Sequence, residues 1–156
     1  MDRISYKIAT SDIELKEAFE VRRQVFVDEQ GISEHLEFDG HDKEALHIVA
    51  KDREKVIGTA RVIFIASSKA KIERMAIQKA FRGRGIGREI ITFLIKNLRN
   101  KQVEQVVLHA QCSAIPFYKL CDFEESGSPF MEAGIKMSKC RNDFDTFSER
   151  RLNLDY

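Results

Sequence analysis

A single α/β domain, with a mixed sheet of six to seven strands flanked by helices, is the fold class this sequence predicts. Three observations lead there. Short segments with strand-like patterning recur along the chain, interleaved with runs whose apolar residues follow helical spacing. One continuous stretch, Ile72 to Asn97 (IERMAIQKAFRGRGIGREIITFLIKN), passes from an apolar strand through a turn holding Gly83, Gly85 and Gly87 into an amphipathic run. The chain has 156 residues, 43% hydrophobic and 33% charged, which suits one well-filled core with no linker or internal repeat.

Taken in order, Ile4, Tyr6 and Ile8 alternate with polar residues as a half-buried first strand. Ser11 and Glu14 have capping-box spacing, and the apolar residues from Ile13 to Phe26 predict a helix ending near Val27. From Asp28 to Glu44 the periodicity breaks into a long loop carrying an acidic cluster (Asp28, Glu29, Glu34, Glu37, Asp39, Asp42) and two histidines, with room for a short helical turn. Ala45–Lys51 and Lys55–Ile65 predict an antiparallel hairpin around Asp52-Arg53-Glu54. The glycine-turn segment supplies the next strand and a helix to about Arg99, buried through Ile86, Ile90, Ile91, Leu94, Ile95 and Leu98. A short buried strand follows at Gln105–His109. A brief helix then begins near Ser113 or Ala114, with Pro116 in its first turn. Phe123–Met131 and Ile135–Met137 complete the strands, and Asn142 to Tyr156 reads as a packed helix or a partner-binding tail.

A net charge of +1 provides no global field for nucleic acid or an anionic membrane, so any anion site must be local. No apolar run approaches the roughly 18 residues of a membrane span, and MDRISYKIAT lacks the apolar core of a secretory leader. Cys112, Cys121 and Cys140 are odd in number and have no CxxC spacing, so we expect reduced thiols and a cytoplasmic protein.

The turn Arg82-Gly83-Arg84-Gly85-Ile86-Gly87 suits a backbone that bends sharply and presents amides to an anion. The helix behind it begins with unpaired amides and the positive end of its dipole, a natural phosphate site. It is not a Walker loop, which needs Gly-Lys-Ser/Thr after four residues. It is not the dinucleotide fingerprint either, because the sixth position from Gly83 is Arg88.

What the turn resembles is the acyl-CoA loop of the GCN5-related N-acetyltransferases, Gln/Arg-x-x-Gly-x-Gly/Ala, here Arg82, Gly85 and Gly87. Arg23-Gln24-Val25-Phe26-Val27-x-Glu29-Gln30 resembles the first-helix signature of the ElaA/YjcF-like bacterial branch. Phe117-Tyr118-Lys119-Leu120-x-x-Phe123 resembles the family's Phe-Tyr-x-x-x-Gly-Phe element, with Asp122 in place of the usual glycine. Glu132-x-Gly134-Ile135 resembles the closing hairpin, but Lys136-Met137 replaces the branch's Pro-His, so no histidine is supplied there. The resemblance covers roughly residues 4 to 139. It implies an acetyltransferase domain over residues 1–140 and a tail over 141–156, with acetyl-CoA as cosubstrate and no metal.

In such a protein the amides of Arg84, Gly85, Ile86, Gly87 and Arg88, with Gly83 and the Arg82 and Arg84 side chains, would hold the pyrophosphate. The family pairs pantetheine with the strand before the loop, here Met75, Ala76 and Ile77. An N–H of Met75 or Ala76 would stabilise the tetrahedral oxyanion. A protonated alkylamine must lose a proton before attack; the candidate bases, in order, are Glu73, Glu29 and His109. Tyr118 matches the family tyrosine that protonates the departing thiolate.

Two other constellations carry less. His109 and Cys112 do not form a triad, and His35, His41 and His47 with Asp39 and Asp42 match no metal-ligand spacing. The acidic loop suits a cationic or amine-bearing acceptor, or is simply a solvated face. The sequence therefore predicts acetyl transfer to a primary amine, a small molecule before a protein. The alternative is a non-catalytic acyl-CoA sensor, and a homodimer formed through the tail is compatible with either.

Overall fold

The computed structural model describes residues 3–144. Its strands are β1 (Ile4–Ile8), β2 (Leu46–Asp52), β3 (Lys55–Ala66), β4 (Lys69–Ile77), β5 (Gln105–Gln111), β6 (Glu124–Glu132) and β7 (Ile135–Asp143). The α-helices are α1 (Asp12–Arg22), α2 (Glu34–Glu37), α3 (Ile86–Asn100) and α4 (Ile115–Leu120). The seven strands are hydrogen-bonded in the order β1-β2-β3-β4-β5-β7-β6. The sheet is mixed, because β4 and β5 run parallel whereas β1–β2, β2–β3, β5–β7 and β6–β7 are antiparallel. Within this domain the residues group into two compact units. One runs up to Ile63 and includes Glu73–Leu94; the other joins Phe64–Ile72 to the residues from Ile95 onward.

In the first unit, the predicted capping box starts α1. The Glu14 amide donates to Ser11 Oγ at 3.1 Å, and the Ser11 amide donates to Glu14 Oε1 at 3.2 Å. Its apolar stripe, Ala18 and Val21, continues into Val25 and packs with Val49, Val56 and Ala76. The α-helix stops at Arg22, earlier than its periodicity predicts. Arg23–Glu29 continues as a π-helix, so the branch signature falls on a rarer, wider turn that is over-represented at functional positions. The loop after it is more ordered than expected, holding α2 and a 3-10 turn at Asp42–Glu44. Gly58 in β3 permits a close approach: a Cβ there would lie 3.4 Å from Ala50 Cβ and from Ile90 Cδ1.

In the second unit, Lys69–Ile72 of β4 pairs with Gln105–Leu108 of β5, and β7 runs between β5 and β6. Helix α3, which starts in the first unit and passes into the second at Ile95, is buried through Ile86, Ile90, Ile91, Leu94 and Leu98 as predicted and ends in a left-handed cap. Gln102 has φ +64°, and the Val103 amide donates to Leu98 O at 3.0 Å. Strand β7 extends past the expected Met137 to Asp143, and Phe144 is buried. The tail reading for Phe147, Leu152 and Leu154 lies outside the described residues. Cys112, Cys121 and Cys140 are thiols, with Cys121 and Cys140 buried. Among the described residues no helix is long and apolar enough to cross a membrane.

Candidate active site

The glycine turn starts where β4 stops. The Gln78 amide donates to Ile57 O at 2.9 Å, and a 3-10 turn at Lys79–Phe81 leads the chain away from the sheet. Gly83 and Gly85 then adopt φ +77° and +80°, the left-handed region that a Cβ disfavours. A Cβ at either would meet no atom within 4 Å, so backbone conformation, not space, demands glycine. The Glu89 amide donates to Gly85 O at 3.1 Å and closes the first turn of α3. The amides of Ile86, Gly87 and Arg88 precede that bond and lie at the positive end of the helix, where an anion is stabilised.

Arg82 is held firmly. Its Nη1 and Nη2 donate to the two carboxylate oxygens of Glu29 at 2.9 and 3.0 Å, and its Nε donates to Ile77 O at 2.9 Å. This bidentate fork ties the π-helix end to the glycine turn and to the last residue of β4. Gln78 Nε2 donates to Gln24 Oε1 at 3.3 Å, a second tie between the signature segment and that strand end. Arg84 lies over the Phe81 ring at 5.2 Å, and Arg84 and Arg88 are both exposed beside the helix start.

In β4, Ala76 is buried while Met75 and Ile77 are half-buried, and Arg74 before them has φ +55°, interrupting the regular pleat. Its side chain explains how a non-glycine residue is kept there. Arg74 Nε lies 2.9 Å from Glu37 Oε2, and its Nη2 donates to Leu36 O and to Asp39 Oδ2, each at 3.2 Å.

These contacts belong to a buried charge network that the sequence reading did not anticipate. Arg22 and Arg61 are each only 1% exposed. Arg22 donates to Asp42 Oδ1 at 2.7 Å and stacks under Phe38, 4.9 Å from the ring centre. Arg61 donates to Asp39 Oδ1 and Oδ2 at 2.8 and 2.9 Å, to Asp42 Oδ1 at 3.1 Å, and through Nε and Nη2 to Glu73. Of the loop's seven carboxylates, Glu37, Asp39 and Asp42 are thus spent on arginines; they do not form a solvated face that attracts a cationic acceptor. Hydrogen bonds from Arg61 hold Asp39 well below the usual carboxylate range. Burial pushes Glu37 the other way, to about 7, against the pull of Arg74, Arg22 and Arg61. His47, packed on Phe19 with Nε2 2.9 Å from Asp42 O, has its pKa lowered by burial. The sequence did carry a signal: Arg61 interrupts the apolar run Val56–Ile65, and an arginine inside a buried strand requires acidic partners.

The two leading base candidates therefore sit in ion pairs, Glu73 with Arg61 and Glu29 with Arg82. Tyr118 lies in the second unit, on α4, its ring edge-on to Phe117 and Phe123 at 5.0 and 6.0 Å. Burial pushes its phenol pKa upward, and the neighbouring Cys121 and Cys140 add to the shift. The segment around it is a Schellman cap. The Phe123 amide donates to Tyr118 O at 3.0 Å, the Asp122 amide donates to Lys119 O at 3.1 Å, and Asp122 has φ +68°. Asp122, which replaces the family's glycine, keeps the glycine conformation.

A strand, a turn with two left-handed glycines and a helix with an open start form an α/β arrangement of the kind at which anions are stabilised. Comparison supplies the family: residues 10–142 match the acetyltransferase (GNAT) domain, and the chain belongs to the GCN5-related N-acetyltransferases. The uncharacterised N-acetyltransferase YjcF of Bacillus subtilis is 36% identical over 129 residues, 82% of this chain and 91% of that protein. The crystal structure of Escherichia coli ElaA superposes with a TM-score of 0.79 at 22% identity, covering 89% of this chain and 99% of that one. A GNAT acetyltransferase from Elizabethkingia anophelis, solved with acetyl-CoA bound, gives 0.72 at 17% identity over 92% and 99%. Family membership makes the protein an acyltransferase and supports CoA as its acyl donor.

Proposed function

We propose that the protein transfers an acetyl group from acetyl-CoA to a primary amine, a small molecule before a protein, by direct attack without a covalent enzyme intermediate. The observation that carries this is the open start of α3 behind Gly83 and Gly85, with exposed Arg84 and Arg88 beside it, where a pyrophosphate is stabilised. In this reading the β4 backbone at Met75, Ala76 and Ile77 pairs with pantetheine and offers an N–H to the oxyanion. The amine nitrogen bonds to the thioester carbon, and the C–S bond breaks with its electron pair on sulfur. Tyr118, kept protonated by its raised pKa, supports the thiolate as a hydrogen-bond donor more readily than by full proton release. Arg82, engaged on Glu29 and Ile77, serves as a brace for the turn, and the pyrophosphate falls to Arg84, Arg88 and the amides.

A second reading, a non-catalytic acyl-CoA sensor, is favoured by one observation: Glu73 and Glu29 both sit in ion pairs with arginines. Calorimetric titration of acetyl-CoA into the wild type and a Gly85→Glu/Gly87→Glu variant tests both readings. Binding that is lost in the folded variant is expected; absence of binding by folded wild type sinks both. With binding established, Tyr118→Phe decides between them. Slower CoA release at unchanged affinity supports the enzyme, and an unchanged rate supports the sensor.

A further inference from the structure

The signature segment Arg23–Glu29 winds as a π-helix, and two of its side chains reach the far end of β4. Gln24 accepts from Gln78 Nε2 at 3.3 Å, and the two carboxylate oxygens of Glu29 accept from Arg82 Nη1 and Nη2 at 2.9 and 3.0 Å. Gln24 and Glu29 are five positions apart. In an α-helix such residues point about 140° away from each other around the axis. The wider π turn, bonded from i to i+5, brings them toward one face. The Gln30 amide makes such a bond to Val25 O at 3.2 Å. Beyond it the chain folds back on the helix, the Gly31 amide donating to Val27 O at 3.1 Å and the Ile32 amide to Phe26 O at 2.9 Å. Glu29 is thus fixed by its own helix end where it meets Arg82. Arg82 in turn donates from Nε to Ile77 O at 2.9 Å, and the next residue, Gly83, turns left-handed.

We infer that this π-helix is a clamp on the donor site and that Glu29 is its positioning residue. Acting through Arg82, Glu29 holds the glycine turn in the conformation that receives the CoA pyrophosphate. This rests on the CoA reading above, and every residue of the clamp lies in the first unit. The amides of Ile86, Gly87 and Arg88 stand at the helix start only while Gly83 and Gly85 keep their left-handed conformations. An untethered glycine turn would visit many others and would lose that freedom on binding. The clamp removes part of the loss in advance, so donor affinity is raised by a residue that does not touch the donor. Glu29 therefore acts on donor binding, not on the acceptor's proton, and it stays on Arg82 when the pyrophosphate arrives. Were Arg82 to swing to the phosphates instead, it would abandon Ile77 O as well as Glu29 and loosen the turn at the moment it must be ordered.

The test is a double-variant cycle read by calorimetric titration of acetyl-CoA into the wild type, Glu29→Gln, Arg82→Gln and the protein carrying both changes. Glu29→Gln is expected to weaken binding about fivefold. The double variant is expected to bind no more weakly than Arg82→Gln alone, because both changes undo the same clamp. In Glu29→Gln the release of CoA from acetyl-CoA should keep its wild-type rate at saturation while KM rises. Loss of a base would do the reverse, and a saturated rate that falls at unchanged affinity overturns the inference. Additive losses in the cycle also overturn it, as does tighter binding by Glu29→Gln, which would mean that Arg82 had been freed for the phosphates. In each of these cases wild-type binding leaves the CoA reading standing. A folded wild type that binds no acetyl-CoA overturns that reading and the clamp with it.

Discussion

Asp122 shows how one residue can depart from a family pattern without departing from its geometry. The position lies two past the end of α4 and needs a left-handed residue, so that the Phe123 amide can reach back to Tyr118 O. Aspartate tolerates that region better than β-branched residues do. Asp122→Gly is expected to keep or slightly raise stability, and Asp122→Val to lower it by about 1–2 kcal/mol. Urea unfolding of the two variants checks the pair, and equal loss in both would show that the cap is not what the position requires. The sequence marked the place, since the missing glycine stood out between Tyr118 and Phe123. It could not show that the backbone there stays left-handed, because that depends on hydrogen bonds to carbonyls three and five residues back. The glycines at 83 and 85 were legible for the opposite reason: a strand, two glycines and an amphipathic helix encode the turn locally.

Among the elements, the segment from α1 to β2 was the least legible. Ser11, Glu14 and the apolar stripe predicted the helix, but its change to π-helix at Arg23 follows from partners distant in sequence: Gln78 for Gln24, Arg82 for Glu29. The following loop looked like solvated acid. In the fold its carboxylates reach Arg61 on β3, 22 and 19 residues away for Asp39 and Asp42. Arg61 is therefore the residue that joins loop, β3 and β4. Arg61→Met is expected to destabilise the protein by roughly 3–5 kcal/mol, because buried carboxylates lose their counter-charge. Adding Asp39→Asn should recover part of that loss. A double variant no more stable than Arg61→Met alone, by chemical unfolding, would place the role of Arg61 in packing instead of charge.

At the scale of the whole molecule the network makes stability depend on pH. The Glu37 carboxyl titrates near 7 when folded, against an ordinary 4.5. The folded protein thus retains a proton that the unfolded chain releases between those values. The stability from this group is complete below the lower value and is lost as pH rises through the higher one, a swing on the order of 3 kcal/mol. His47, lowered by burial, opposes it near neutrality, and Asp39, held low by Arg61, works at more acid pH. Glu37→Gln removes the first contribution alone. Unfolding free energies at pH 5 and pH 7 should differ less favourably toward pH 5 in the variant than in the wild type. An identical difference in the two proteins would mean that Glu37 does not take up the proton.

Arg74 places a limit on how the sequence can drift. Its backbone wants the freedom of glycine, while its guanidinium closes on Leu36 O, Glu37 and Asp39. Glycine would satisfy the first demand and abandon the second; lysine would keep a charge but lose the fork and the planar donors. No single replacement meets both, so this position can change only together with the loop that it holds. Descendants of this chain that alter residues 36 to 39 should therefore carry a compensating change at 74, and the two regions would be inherited as one unit of variation.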